Sequence, residues 1–144
     1  NNPIIAVAHP QHPYARRNAL ALAEMEGVTV LQREPGSGTR KASDDFLREK
    51  RIHLQQPMQL GSTESLIQGA IAGLGIALVS GHAASSFIRS GELIRLDFSE
   101  LPLFRSWCAV HARGKRLSPV AQAFLDYLRS ERAQIRTLAE RFQV

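Results

Sequence analysis

The sequence has a single cysteine among 144 residues and no long apolar run. The lone Cys108 cannot form a disulfide within the chain and cannot supply a cysteine-based zinc cluster. It fits a reducing compartment, so we expect a cytoplasmic protein. No stretch approaches the roughly 18 apolar residues that a membrane span needs, and the pattern of a signal peptide is missing. We therefore expect neither a membrane partner nor a secreted disulfide scaffold.

The chain also lacks an initiator methionine. It opens on Asn1-Asn2-Pro3, which indicates a processed or excised piece of a longer protein. Its length allows one domain or two small lobes. Apolar residues make up 44% of the chain and charged residues 22%, proportions that are typical of a globular fold and not of a disordered segment.

Positive charge exceeds negative charge, with a formal net charge of +5 and a pI of about 10.1. Such an excess favours a nucleic-acid-binding surface. The basic residues are nevertheless spread along the chain. The clusters Lys50-Arg51 and Arg113–Arg116 accompany neither a helix-turn-helix pattern nor a platform of aromatic residues. We interpret them as solvated surface and predict that this chain does not bind DNA itself.

Segments typical of strands and of helices alternate along the chain over short connections, which predicts an α/β fold with a largely parallel sheet. The predicted strands are Ile4–Ala8, Val28–Leu31, Gln56–Leu60, Ile76–Val79, Leu93–Phe98 and Trp107–His111. The predicted helices are Ala19–Met25, one that begins near Ser37 and runs to about Arg51, Leu66–Leu74, His82–Arg89 and a last one that begins at Ser118-Pro119. A tail with Ile135, Leu138 and Phe142 extends the last helix. The strands at the two ends of the chain look like parts of another lobe whose remaining strands are missing.

The most informative segment is Pro35-Gly36-Ser37-Gly38-Thr39-Arg40, between a predicted strand and a predicted helix. Ser37 or Thr39 can cap the helix, and the free N–H groups of its first turn favour an anion. Arg40 adds a guanidinium group suited to carboxylate or phosphate. The same residues also fit a well-capped helix that binds nothing. The segment matches neither the dinucleotide fingerprint nor the Walker A motif, so we predict neither nucleotide site.

A second turn of this kind, Gly61-Ser62-Thr63-Glu64, follows the next predicted strand and opens the next helix. In a parallel sheet both turns lie at the carboxyl ends of strands, where open α/β sheets bind ligands. Two hydroxyl-bearing turns at one edge favour a site for a small polar ligand. Neither turn places a base beside its hydroxyl group, so we predict no catalysis.

The five histidines do not form a metal-binding pattern. His9 and His12 are three residues apart, but the prolines beside them prevent a helical metal-binding face. No acidic or cysteine ligands accompany them. His82 follows the end of a predicted strand and either lines the same cleft, caps a helix or faces solvent. Cys108 fits a small core residue. We expect no metal and no other cofactor.

Together these segments resemble the effector-binding domain of LysR-type transcriptional regulators. The clearest match is Arg33–Arg40, and the resemblance continues in the same order over nearly the whole chain. Within the family the chain is most similar to regulators of Calvin-cycle carbon-fixation operons, which Arg105-Ser106-Trp107 supports. The other matching segments are His9–Pro13, Leu60–Glu64, Ala72–Ser80 and Lys115–Pro119 with Phe124-Leu125.

The resemblance implies a type II periplasmic-binding-protein-like fold with two Rossmann-like lobes, of which this chain has one complete lobe and part of the other. Residues 1–13 would end the first lobe and cross over. Residues 14–101 would form the second, effector-binding lobe, and residues 102–144 would return to the C-terminal part of the first lobe. Ile4–Ala8 and Trp107–Leu128 would then belong to the first lobe. The family's N-terminal winged helix-turn-helix, its linker helix and the start of the first lobe have no counterpart in the sequence.

The resemblance further implies a ligand-sensing domain, not an enzyme, that binds a small anionic metabolite between the lobes. Phosphorylated metabolites or a nicotinamide nucleotide are the effectors expected for the carbon-fixation branch. The implied partners are further copies of the chain, as a dimer or tetramer, and DNA only through the absent helix-turn-helix. One alternative with the same fold is a solute-binding protein of a transport system, and another is an enzyme with Ser37 or Thr39 as nucleophile. The predicted effector-binding residues are Ser37, Gly38, Thr39, Arg40, Gly61, Ser62 and Thr63.

Overall fold

The computed structural model describes residues 2–114 and 116–140. Within these ranges no helix is long and apolar enough to span a bilayer. The strands are β1 (Asn2–Ala8), β2 (Thr29–Arg33), β3 (Gln56–Leu60), β4 (Ile76–Ser80), β5 (Ile94–Arg95) and β6 (Leu103–Arg105). The α-helices are α1 (Gly38–Glu49), α2 (Thr63–Ile71), α3 (Gly81–Arg89), α4 (Pro119–Ser130) and α5 (Arg132–Glu140), and a 3-10 helix covers Leu22–Gly27.

The six strands form one mixed sheet in the order β3-β2-β4-β1-β5, with β6 also paired to β1. Strands β2, β3 and β4 are mutually parallel, as predicted. The prediction is wrong for β1, which is antiparallel to β4, β5 and β6. The reason lies in the connections. A parallel pair needs a crossover, which α1 and α2 provide, whereas β1 reaches β2 through turns and the short 3-10 helix.

Strand β1 is buried on both faces, as its continuous apolar sequence predicts. Ile4 packs in one core cluster with Leu47 of α1, and Ile5 packs in the opposite cluster with Leu66 of α2. All four side chains are at most 4% exposed. The sheet therefore lies between a layer that contains α1 and a layer that contains α2 and α3.

Strand β1 occupies a central position in the sheet. β1 pairs with β4 along Ile4–Val7 and so lies inside the sheet that β2, β3 and β4 build. A sequence pattern reports burial but not the pairing partner, because β1 and β4 are far apart along the chain. The assignment of Ile4–Ala8 to a first lobe and the lobe boundaries at residues 13 and 101 stay predictions.

Three of the predicted elements differ from the structure. The segment Trp107–His111 is not a strand: the edge position is taken by β6, after which the chain leaves the sheet and is exposed. The predicted strand Leu93–Phe98 is shortened to β5, although its apolar residues Leu93, Leu96 and Phe98 are buried. The helix expected at Ala19–Met25 is the 3-10 helix, which starts three residues later.

Helix α4 begins where the sequence predicts. Ser118 Oγ accepts a hydrogen bond from the Ala121 N–H (3.2 Å), and Pro119 is the first residue of α4. The apolar face of α4 is solvent-exposed, with Phe124 61% exposed. The predicted extension is a separate helix, α5, which carries Ile135 and Leu138. Phe142 lies outside the described residues.

Candidate functional site

Two hydroxyl-bearing turns lie side by side where β2 and β3 end. The two strands are parallel and stay in register to their last residues, so α1 and α2 begin at the same edge of the sheet. Ser37 caps α1 by accepting a hydrogen bond from the Arg40 N–H (3.4 Å), and Ser62 caps α2 by accepting one from the Ser65 N–H (2.9 Å). The predicted placement of both turns at one edge is confirmed.

Arg33, the last residue of β2, joins the two turns. Its Nη1 donates a hydrogen bond to Thr63 Oγ1 (2.9 Å), at the first residue of α2. Its Nε and Nη2 donate to the two carboxylate oxygens of Glu34, each at 2.8 Å. This fork-shaped pairing raises the pKa of Arg33 and lowers the pKa of the Glu34 carboxyl group to about 2. The Arg33 side chain is 20% exposed, so its charge lies close to solvent.

A cleft of about 380 Å³ opens beside this arrangement. The first turn of α1 forms one wall through Ser37, Gly38 and Thr39, together with Arg33. The end of β6 and the residues that follow it form the other wall, with Arg105, Ser106 and Trp107. The cleft thus combines the N-terminus of a helix, three hydroxyl groups and two guanidinium groups, a set of donors that suits a phosphate or a carboxylate.

The remaining predicted residues occupy different places. Thr63 is linked to the cleft through its hydrogen bond with Arg33, whereas Gly61 and Ser62 lie at the start of α2 beyond the cleft lining. The Arg40 side chain does not line the cleft. Its Nε donates to Asp44 Oδ2 (2.7 Å), its Nη1 donates to the Arg33 carbonyl oxygen (2.9 Å), and its side chain lines a separate groove.

The LysR substrate binding domain family matches residues 1–133. The chain belongs to this family. It is 38% identical over 135 residues to the RuBisCO operon transcriptional regulator of Allochromatium vinosum, covering 94% of this chain and 45% of the relative. It is also 38% identical over 135 residues to the HTH-type transcriptional regulator CbbR of Xanthobacter flavus, covering 92% of this chain and 40% of the relative. The chain therefore spans less than half the length of these relatives.

A solved structure extends the likeness to the fold. The Synechocystis PCC6803 CcmR regulatory domain in complex with 2-PG matches with a TM-score of 0.80 and 34% sequence identity, covering 88% of this chain and 61% of that one. The fold is that of LysR-type regulatory domains, which is type II periplasmic-binding-protein-like. Both the family and the likeness to regulators of carbon fixation, predicted from segments such as Arg33–Arg40, are confirmed.

The sequence did not single out Arg33, Arg105 or Trp107 as site residues. Arg33 had a usable signal, because the last residue of a parallel strand lies at the ligand-binding edge of the sheet. Arg105 and Trp107 had none, since they reach the cleft only through the antiparallel pairing of β6 with β1. In this chain Arg105 and Trp107 line the same cleft as Ser37, Gly38 and Thr39.

The rings of His82 and the cleft-lining Trp107 lie in a tilted contact, with centroids 5.0 Å apart and an interplanar angle of 39°. His82 is the second residue of α3. Of the three alternatives for His82, the structure thus places it beside a cleft-lining residue. The prediction that Cys108 is a core residue is wrong, because Cys108 is exposed on the segment after β6.

The structure gives the histidines no metal-binding arrangement within residues 2–114 and 116–140: no group of three potential ligands comes together there. His9 Nδ1 accepts a hydrogen bond from the Gln11 N–H (3.1 Å), and His12 Nδ1 accepts one from the Tyr14 N–H (3.2 Å). Burial lowers the pKa of His12 and so favours its neutral form. Both rings therefore stabilise the turn that follows β1.

Proposed function

We propose that this chain is the effector-binding part of a LysR-type transcriptional regulator and that it senses a small anionic metabolite. The observation that carries the proposal is the position of Arg33, whose guanidinium group joins the starts of α1 and α2 beside the cleft. A guanidinium fork and a helix N-terminus both favour phosphate and carboxylate groups. 2-PG (2-phosphoglycolate), the ligand of the related CcmR domain, carries both groups.

The cleft has room for a small anionic ligand. Its volume of about 380 Å³ lies within the range of ligand pockets, which begins at about 300 Å³. In the proposed site the anion meets Arg33 and the first turn of α1 (Ser37, Gly38 and Thr39). Arg40 and the α2 turn (Gly61, Ser62 and Thr63) lie beside this contact.

In the whole regulator, DNA is contacted by a helix-turn-helix outside this chain. The name of the Xanthobacter flavus relative, an HTH-type regulator of more than twice the aligned length, supports this division. The proteins that resemble the chain are named as regulators, which favours this function over the solute-binding alternative. We place the regulator in the cytoplasm as a homodimer or homotetramer without enzymatic activity. The coding sequence upstream tests the class: a helix-turn-helix supports a regulator, and an export signal contradicts it.

Calorimetric titration of the chain with 2-PG tests the site. Ser37→Ala and Ser62→Ala each remove a helix-capping hydroxyl, and we expect each to weaken binding about 3- to 10-fold. Ser90→Ala is the matched control, because Ser90 Oγ bonds only the Phe87 carbonyl and Glu92 at the far end of α3. Equal affinity of the unmodified chain and both variants would contradict the proposed site.

A further inference from the structure

Arg40 is the one charged residue among the predicted effector-binding residues, and its guanidinium group forms hydrogen bonds within its own chain. The guanidinium donates to Asp44 on α1 and to the carbonyl oxygen of Arg33 at the end of β2. We propose that Arg40 is a positioning residue, which holds the α1 turn and Arg33 in the geometry that receives the anion and does not itself contact the anion. This inference rests on the proposed function of the cleft.

The first support is the set of contacts behind Arg40. Asp44 accepts from Arg40 Nε through Oδ2 (2.7 Å) and from Gln32 Nε2 through Oδ1 (3.2 Å). Gln32, on β2, is only 3% exposed and is one of three buried polar residues of the described chain. Because a buried amide group needs its hydrogen bonds, Gln32 fixes Asp44, and Asp44 fixes the Arg40 fork.

The second support is that the Arg40 side chain holds the backbone of Arg33. Arg40 Nη1 donates to the backbone carbonyl of Arg33 (2.9 Å), the residue whose side chain reaches Thr63. The end of β2 is thereby held against the first turn of α1 from one side, while the Arg33 side chain holds α2 from the other. Loss of the Arg40 contacts would free both the Arg33 backbone and the N-terminus of α1.

The third support is the location of the Arg40 side chain. It lines a groove together with Gln32, Asp44 and Arg48, whereas the cleft is lined by Ser37, Gly38 and Thr39. The groove and the cleft share no lining residue. An anion in the cleft therefore meets the N–H groups and hydroxyl groups that Arg40 orients, and meets the Arg33 guanidinium directly.

The variant Asp44→Asn distinguishes a positioning role of Arg40 from direct contact between Arg40 and the anion. If Arg40 bound the anion directly, Asp44→Asn would release its guanidinium and strengthen binding. If Arg40 acts by positioning, Asp44→Asn weakens 2-PG binding, and we expect a loss of about 5-fold. Asp45→Asn is the matched control, because Asp45 pairs with Lys41 and Arg48 on the exposed face of the same helix. We expect this control to bind at least as tightly as the unmodified chain.

Arg40→Lys is the second variant of this experiment. Lysine keeps the positive charge, but it lacks the planar guanidinium group that donates both to Asp44 and to the Arg33 carbonyl. We expect Arg40→Lys to bind as weakly as Asp44→Asn. Affinity of Arg40→Lys equal to that of the unmodified chain, or tighter binding by Asp44→Asn than by Asp45→Asn, would overturn the inference.

Hydrogen exchange measured without ligand tests the positioning role independently of the proposed function. The Arg40 and Lys41 amides bond to the side chain and backbone oxygens of Ser37 and report the order of the α1 start. We expect faster hydrogen exchange at these amides in Asp44→Asn and Arg40→Lys than in Asp45→Asn. Unchanged exchange would overturn the positioning role. Faster exchange together with no 2-PG binding by the unmodified chain would support the positioning role and contradict the proposed function.

Discussion

Arg33 Nη1 donates a hydrogen bond to Thr63 Oγ1 across 2.9 Å, and this contact connects the beginnings of α1 and α2. The remaining nitrogens of the guanidinium group hold the carboxylate of Glu34. The positive charge that would meet an anion is thus fixed by a neutral hydroxyl group on one side and by a competing carboxylate on the other. Each partner has a different, measurable effect on binding.

Thr63→Val tests the hydroxyl group. Valine keeps the shape of the side chain but accepts no hydrogen bond, so the Arg33 fork loses one of its supports. We expect 2-PG to bind about 5-fold more weakly in calorimetric titration, the equivalent of about 1 kcal/mol. Thr29→Val serves as the control, since Thr29 Oγ1 makes only a long contact with Gln56 (3.4 Å) at the opposite end of β2. Comparable losses in both variants would show that the contact with Arg33 has no particular role.

Glu34→Gln tests the carboxylate. In the absence of ligand Glu34 occupies two nitrogens of Arg33, so an incoming anion has to compete with it. Removal of this charge should raise the affinity for 2-PG, with a larger effect at low ionic strength because the groups lie near solvent. Glu49→Gln carries the same charge change at the far end of α1. If both variants gain affinity equally, the gain reflects net charge and not competition at Arg33.

The same pair makes stability depend on pH. The two hydrogen bonds from Arg33 lower the pKa of Glu34 in the folded chain from 4.5 to about 2. Between these values the unfolded chain binds more protons, so the free energy of unfolding falls as the pH falls from 4.5 toward 2. Above pH 4.5 the stabilisation is complete. Urea denaturation at about pH 5 and about pH 3 should show a smaller decrease for Glu34→Gln than for the unmodified chain. Identical decreases would contradict the pairing.

Gly75→Ala tests the close approach of β2 and β4. A Cβ atom at Gly75 would lie 2.3 Å from the backbone carbonyl oxygen of Thr29, and the backbone of a paired strand cannot move away without loss of the pairing. We expect the free energy of unfolding to drop by at least about 1–3 kcal/mol in urea denaturation. Gly27→Ala is the control, because no atom lies within 4 Å of its Cβ position. A drop no larger than that of the control would refute the close approach.

Local features of the fold were predictable from the sequence. Ser118 caps α4 as predicted, and Ser37, one of the two residues predicted to cap α1, accepts the capping hydrogen bond. The continuous apolar run Ile4–Ala8 correctly predicted a strand buried on both faces. These features depend on residues close together in the sequence. The resemblance to the LysR family supplied the fold class.

Features that depend on distant pairing were not predictable. The antiparallel place of β1 beside β4 and the course of the chain after β6 are set by contacts between segments far apart in sequence. For this reason Trp107 was predicted in a strand and Cys108 in the core, whereas both are exposed. The direction of the Arg40 side chain is a similar case, because it follows from the buried amide of Gln32.

The most direct test of the central claim is a two-dimensional ¹⁵N–¹H NMR titration of the chain with 2-PG, which maps even weak binding to single amides. If the α1 turn and Arg33 form the anion site, the largest shift changes occur at the amides of Gly38, Thr39 and Thr63, and Ser37→Ala reduces them. Shift changes that are largest along α4 or around Arg48, or that are absent at Gly38 and Thr39, would contradict the claim.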